Sequence, residues 1–187
     1  MKRIVLLLIM SCIGFNTLAQ EKEAVKYPQD INKNHEIKLN AFSLIVFSTI
    51  DVSYEKLLNK DSSYGISLFY NFATPDSDLY FPKKFSLTPY YRWFFTETRY
   101  ARGFFVEGFG MLNTYEETLY YFDSTNDETI SETGFALGIS VGGKFIIKSG
   151  FTAEVYLGIG RNLFNSDNDF LENNIVTRGG ISLGYRF

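Results

Sequence analysis

The sequence predicts an all-β fold: an eight-stranded antiparallel up-and-down transmembrane β-barrel preceded by a cleavable signal peptide. Three observations carry this. Aromatic residues make up 18% of the chain, with 15 glycines and only 4 prolines, a composition suited to strands rather than helices. Apolar and polar residues alternate with period two in eight separate runs, the mark of a strand with two unlike faces. The polar faces of those runs carry charges that a soluble sandwich core could not bury unpaired without a cost of several kcal/mol each.

The elements follow in order. "MKRIVLLLIMSCIGFNTLAQ" opens the chain. Lys2 and Arg3 form a positive n-region, an apolar stretch follows, and Thr17-Leu18-Ala19 supplies small residues before a cleavage site after Ala19. The apolar stretch is shorter than the ~20 residues a spanning helix needs. A second processing route stays open: "LIMSC" resembles a lipobox with Cys12 as the lipidated residue, although Met10 fits that pattern poorly. Residues 1–19 are thus a signal peptide, residues 20–34 a short N-terminal periplasmic segment, and residues 35–187 the barrel. Cys12 is the only cysteine, so the exported part has no disulfide. The net charge of −3 becomes more negative once Lys2 and Arg3 leave, which argues against a nucleic-acid partner.

The runs are "HEIKLNAF", "IDVSYE", "YGISLFYNF", "FSLTPYYRWFF", "FFVEGFGML", "FALGISVGGKF", "FTAEVYLGIG" and "RGGISLGYRF". Several approach the 9–11 residues a tilted strand needs to cross a bilayer, and their number is even. Pro89 interrupts the fourth and predicts a gap or bulge in its ladder. With the N-terminus periplasmic, the connections near Asn59, Thr96 and Gly150 are short. The other side has a tight turn near Ser48 and three longer loops, roughly 73–83, 116–132 and 162–174. Short turns on one side and long loops on the other fit an outer-membrane barrel.

Parity places Lys38, Asp51, Glu55, Arg92, Glu107, Lys144, Glu154, Arg178 and Arg186 on inward faces. An eight-stranded barrel is only wide enough inside for side chains, so these near-balanced charges predict a salt-bridged plug. A narrow polar channel is the alternative. The last strand must pair with the first, because lipid tolerates no open sheet edge. Tyr185 and Phe187 end the chain on the lipid-facing register, which looks like the C-terminal signal read by outer-membrane insertion machinery.

"KLNAFSLIVFSTIDVSYEKLL", "SLTPYYRWFF", "RGFFVEGFG" and "GISLGYRF" resemble a family of small outer-membrane β-barrel proteins of Bacteroidetes catalogued as a domain of unknown function. The resemblance covers nearly the whole exported chain. It implies the fold and an outer-membrane location, and it offers no activity or catalytic residues to carry over.

Chemistry is thinly represented. His35, the one histidine, stands just before the first strand and reads as a solvated residue, so a Ser–His arrangement has no base where it is needed. No metal-ligand spacing and no phosphate-binding glycine loop is present. The expectation is therefore a non-enzyme without cofactor or metal. Acidic loops carry Glu116, Glu117, Asp123, Asp127, Glu128 and Glu132, then Asp167, Asp169 and Glu172. They read as a repulsive, solvated surface. The expected role is a structural or interaction barrel with a plugged lumen, in contact with outer-membrane lipids, lipopolysaccharide and the insertion machinery, its surface partner unnamed. A narrow pore or a small-ligand or lipid-binding barrel is the other reading.

Overall fold

In a computed structural model of the chain, residues 30–72, 83–96, 100–119, 128–165 and 175–187 are described. The signal peptide, the cleavage site after Ala19 and the Cys12 alternative lie outside the described residues, as do the acids Asp123, Asp127, Asp167, Asp169 and Glu172.

Eight antiparallel strands close into one barrel in sequence order. They are β1 (His35–Asn40), β2 (Thr49–Leu57), β3 (Ser62–Asn71), β4 (Lys83–Phe94), β5 (Gly103–Leu119), β6 (Glu128–Ile146), β7 (Phe151–Asn165) and β8 (Ile175–Arg186). Each neighbour in the chain is a neighbour in the sheet, and closure comes from β1 on β8, in register from Glu36↔Arg186 to Asn40↔Ser182. The ladder bonds continue to the terminal residue. His35 N–H donates to the Phe187 carbonyl (3.1 Å), and Phe187 N–H donates to the His35 carbonyl (2.8 Å).

Inward and outward faces alternate without a slip in the strand centres, because side chains two apart share a face. The outer surface is apolar. Ile66, Leu68, Leu137, Ile139, Val141, Val155, Leu157, Ile159 and Leu183 are all exposed there. Aromatic side chains collect toward its two ends: Trp93, Phe95, Phe104, Phe151, Tyr185 and Phe187 at the end holding the terminus, and Tyr70, Phe72, Phe85 and Phe164 at the far end. Such a band flanked by aromatic rings matches a lipid-facing surface. The inside holds the buried rings Tyr90, Phe94, Phe105, Phe109 and Tyr156. Two sit over cross-strand glycines: Phe105 opposite Gly142 and Phe109 opposite Gly138. A Cβ at either glycine would come within 2.6 Å or less of the ring, so the glycines make the space that the aromatics fill.

Three expectations are corrected. The turn near Ser48 is not tight: "AFSLIVF" forms a helix, α1 (Ala41–Phe47), capped by the Asn40 side chain at its start and ended by Ser48 in a left-handed conformation. The seven residues contain a strand-like apolar run, and only tertiary placement reveals the helix. The connection between β5 and β6 is shorter than expected, because β5 has 17 residues and β6 has 19. Their ladder continues from Tyr115↔Glu132 to Leu119↔Glu128. Glu132 is therefore an inward, buried strand residue rather than a loop acid. His35 is the first residue of β1, bonded to the Tyr54 hydroxyl and stacked on Phe187 (centroids 6.0 Å apart). The expected gap is present at Pro89: the β4–β5 ladder skips Thr88 and Pro89 between the pairs Leu87↔Leu112 and Tyr90↔Phe109, with the register unchanged on both sides, and a register shift lies between Lys83 and Phe85.

Candidate functional site

The charged side chains of the lumen converge because strand parity aims them at one axis. Glu36, Lys38 and Asn40 project inward from β1, Glu55 from β2, Arg92 from β4, Glu107 from β5, Lys144 from β6, Glu154 from β7 and Arg178 and Arg186 from β8. Seven strands thus supply a charge, and β3 supplies Ser63, which donates to Glu55 (2.6 Å).

Arg92 is the centre. Its Nε donates to Glu107 (2.6 Å), its Nη1 to Glu55 and Glu154 (2.8 Å each), and its Nη2 to Glu154 (2.9 Å). One planar guanidinium therefore joins acids from β2, β5 and β7, which only an arginine fork can do. Its face lies 4.3 Å from the Phe105 ring and 4.6 Å from the Tyr90 ring. Lys38 bridges Glu55 and Glu154, the latter at 2.9 Å. Lys144 bridges Glu55 (2.6 Å) and Glu36 (2.8 Å). Glu107 also accepts from Arg178 (2.6 Å) and from Ser140 (2.9 Å).

The network continues to the terminal end of the barrel. Arg186 binds Glu36 (2.7 Å) and Asp30 (2.8 Å), and donates to the Ala101 carbonyl (2.9 Å). Arg102 pairs with Asp30 as well. At the far end Asp51 is only part-buried. It accepts from Ser67 (2.5 Å), Asn40 (3.0 Å) and Tyr156 (3.4 Å), and among the described residues it forms no ion pair of the kind seen deeper in.

All nine sequence-predicted lumen residues face inward, and eight of them join by ion pairs. Three further members were not expected. Glu36 has the same parity as Lys38, and that signal could have found it. Asp30 and Arg102 lie outside the strands, so no periodicity points at them. Asp30 also shows that the end of the 20–34 segment enters the barrel base rather than lying free below it. Tyr185 and Phe187 are outward and exposed, Tyr185 edge-on to Phe151.

Chemically, the site can hold charge in place. Every carboxylate in its middle is shared between cations, and Glu36, Glu55, Glu107 and Glu154 are each less than 3% exposed. Among the described residues no cluster of three or more His, Cys, Asp or Glu is arranged to hold a metal ion.

Comparison with known proteins gives a family and a fold. Residues 5–179 match a family described as "Protein of unknown function (DUF3575)". No curated protein matches the chain. The crystal structure of the N-terminal β-barrel domain of OprF from Pseudomonas aeruginosa is similar, with a TM-score of 0.51 at 14% identity, over 83% of this chain and 96% of that one. At such low identity the likeness speaks for the fold alone, a small outer-membrane-type barrel.

Proposed function

The chain belongs to the DUF3575 family, whose function is unknown, and from that premise we propose that it works in the outer membrane as a non-enzymatic structural or interaction barrel with a shut lumen. The observation that carries this is the position of Arg92. Its ion pairs reach three strands across the barrel interior, and the rings of Tyr90 and Phe105 pack on it. Ions crossing the lumen would have to break charge-assisted hydrogen bonds in a low-dielectric interior, where each is strong.

On this reading the signal peptide is cleaved after Ala19, the terminal end faces the periplasm, and the far end faces outward. The partners are outer-membrane lipids and lipopolysaccharide, with the insertion machinery reading Tyr185 and Phe187. The acidic residues at the far end keep the exposed surface hydrated. Resemblance of the fold to an outer-membrane barrel supports the location.

Planar-bilayer recording tests the shut lumen. The wild-type barrel is expected to give no unitary conductance above the bare membrane. Reproducible channel steps from the wild-type protein would replace this reading with that of a narrow pore.

A further inference from the structure

Two buried hydroxyls take no part in holding the fold. Ser86 and Thr88 point inward from β4, and each is only 2% exposed. Among the described residues neither hydroxyl has a hydrogen-bond partner, and a buried hydroxyl left unpaired costs stability. Ser67, which faces Thr88 across the ladder, is by contrast spent on Asp51 (2.5 Å). Ser86 and Thr88 line one cavity of about 280 Å³, which α1 closes on one side with Phe42, Ser43 and Phe47.

The cavity sits at a seam in the wall. β1 has six residues and β8 has 12. The last β1–β8 pair is Asn40↔Ser182, and the last β1–β2 pair is Leu39↔Val52. Beyond them, residues 49–51 of β2 and residues 175–181 of β8 have no β1 between them. α1 takes that place and packs on both strands. Asn40 ties it there: its Oδ1 accepts from Ser43 N–H (3.2 Å), and its Nδ2 donates to Asp51 (3.0 Å) and to the Gly179 carbonyl (3.2 Å). Thr49 Oγ1 donates to the Ser43 carbonyl (3.1 Å).

The cavity has two unlike ends. The inner end holds Ser86, Thr88 and the charged side chains Asp51, Lys83 and Arg178. Each of these charges is engaged already. Asp51 accepts from Ser67, Asn40 and Tyr156. Arg178 is paired with Glu107 (2.6 Å). Lys83 holds its ammonium over the Phe69 ring (4.4 Å). The outer end is lined by Phe42, Phe47 and Leu157. Leu157 is 71% exposed on the lipid-facing surface, and Gly179 opposite it puts no side chain on that surface. A cavity confined to the lumen would not touch Leu157, so the space runs through the seam to the lipid side.

A ligand that fits this space carries no net charge, because no charge is left to balance one. It carries hydroxyls, because Ser86 and Thr88 can each donate and accept, whereas a carboxylate only accepts and an ammonium only donates. It has an apolar part for the outer end. The volume is just under the ~300–1,000 Å³ usual for ligand pockets, enough for a head group and the start of one chain. We infer that the cavity is a lateral binding site for an uncharged single-chain amphiphile with a polyol head, of the monoacylglycerol class. The head bonds to Ser86 and Thr88, and the chain leaves past Phe42 and Leu157 into lipid. The inference rests on the membrane-spanning reading, and it stands whether or not the lumen conducts.

Photolabelling tests it. The full exported chain is placed in phosphatidylcholine nanodiscs with monododecanoylglycerol carrying a diazirine on its chain, and labelled peptides are mapped. Retention of the unboiled gel shift certifies each variant as folded. Label is expected to saturate on α1 and on the Leu157 and Thr177 regions. Unlabelled monododecanoylglycerol should displace it at a concentration at least tenfold below that needed by dodecanoate or dodecyltrimethylammonium. Free glycerol should not displace it. Ser86→Ala combined with Thr88→Val removes both hydroxyls and keeps the shape of Thr88. It should cut the label at least tenfold and leave the protein folded, since neither hydroxyl is paired within the fold. Thr88→Val alone should lower the label too, and carries the test if the double variant does not fold. Label spread evenly around the wall, displacement by either ion at the same concentration as the neutral lipid, or wild-type labelling in a folded double variant would overturn the site. Displacement by free glycerol would overturn the lipid and assign the cavity to a soluble polyol. A lost gel shift in the wild type would instead sink the barrel reading beneath it.

Discussion

At the scale of residues, two positions hold more than their own contacts. Glu107 neutralises Arg92 and Arg178 together. Glu107→Leu leaves Arg178 without its ion-pair partner and Arg92 with less. Breaking a buried pair from one side costs about 3–5 kcal/mol, and the urea unfolding midpoint of the folded barrel should fall accordingly. An unchanged midpoint would mean that water, not Glu107, balances those arginines. Asn40 is the other. A Cβ at Gly180 would come within 2.3 Å of the Asn40 Oδ1, so Gly180→Ala must push out the side chain that ties α1, β2 and β8. The expected loss is about 1–3 kcal/mol, the cost of buried polar groups left unpaired, read as a lower midpoint in the same experiment. These two residues differ in how legible they are. Glu107 is evident from parity in "FFVEGFGML". The task of Asn40 is invisible there, because it depends on a helix and on the edge of a strand 139 residues away.

At the scale of elements, the sequence displays strand faces well and strand ends poorly. Alternation fixed the inward set because one-residue slips would carry every charge to the lipid side. The ends of β5 and β6 are hard to read because acids such as Glu116 and Glu132 look like loop residues, whereas the extended hairpin holds Glu116 half-buried and turns Glu132 inward. α1 is illegible because a seven-residue stretch with six apolar residues suits a short strand and a short helix equally. The lipid-facing assignment of β8 gives a sharp test. Leu183→Arg places a cation among the exposed apolar side chains, and should cost about 2–4 kcal/mol near the bilayer midplane and less toward the interfaces. In β8 the outward Phe187 is also open to test: deleting it should slow assembly into membranes containing the insertion machinery, measured as the rate at which the folded form accumulates. An unaltered rate would remove the terminal aromatic from the signal.

For the whole molecule, closure is the property that organises everything else. A barrel closed by backbone bonds between β1 and β8 should resist cold detergent, so the unboiled protein from the outer-membrane fraction should migrate differently from the boiled one. Identical migration, with the protein found soluble in the periplasm, would refute the membrane reading. The overall fold was legible since every strand pairs with its chain neighbour, leaving few alternatives. Asp30 and Arg102 were not legible, since each matters only once the ring is shut. That ring has a temporal side. Glu36 meets Arg186 across 150 positions of chain, about as non-local as a contact here can be, and such contacts form late. Asp30 and Glu36 gain Arg186 only when β8 docks on β1. Before that docking, among the described residues Asp30 is ion-paired only with Arg102 and Glu36 only with Lys144. The lumen thus doubles as a latch: its interior charges balance only when the ring is shut.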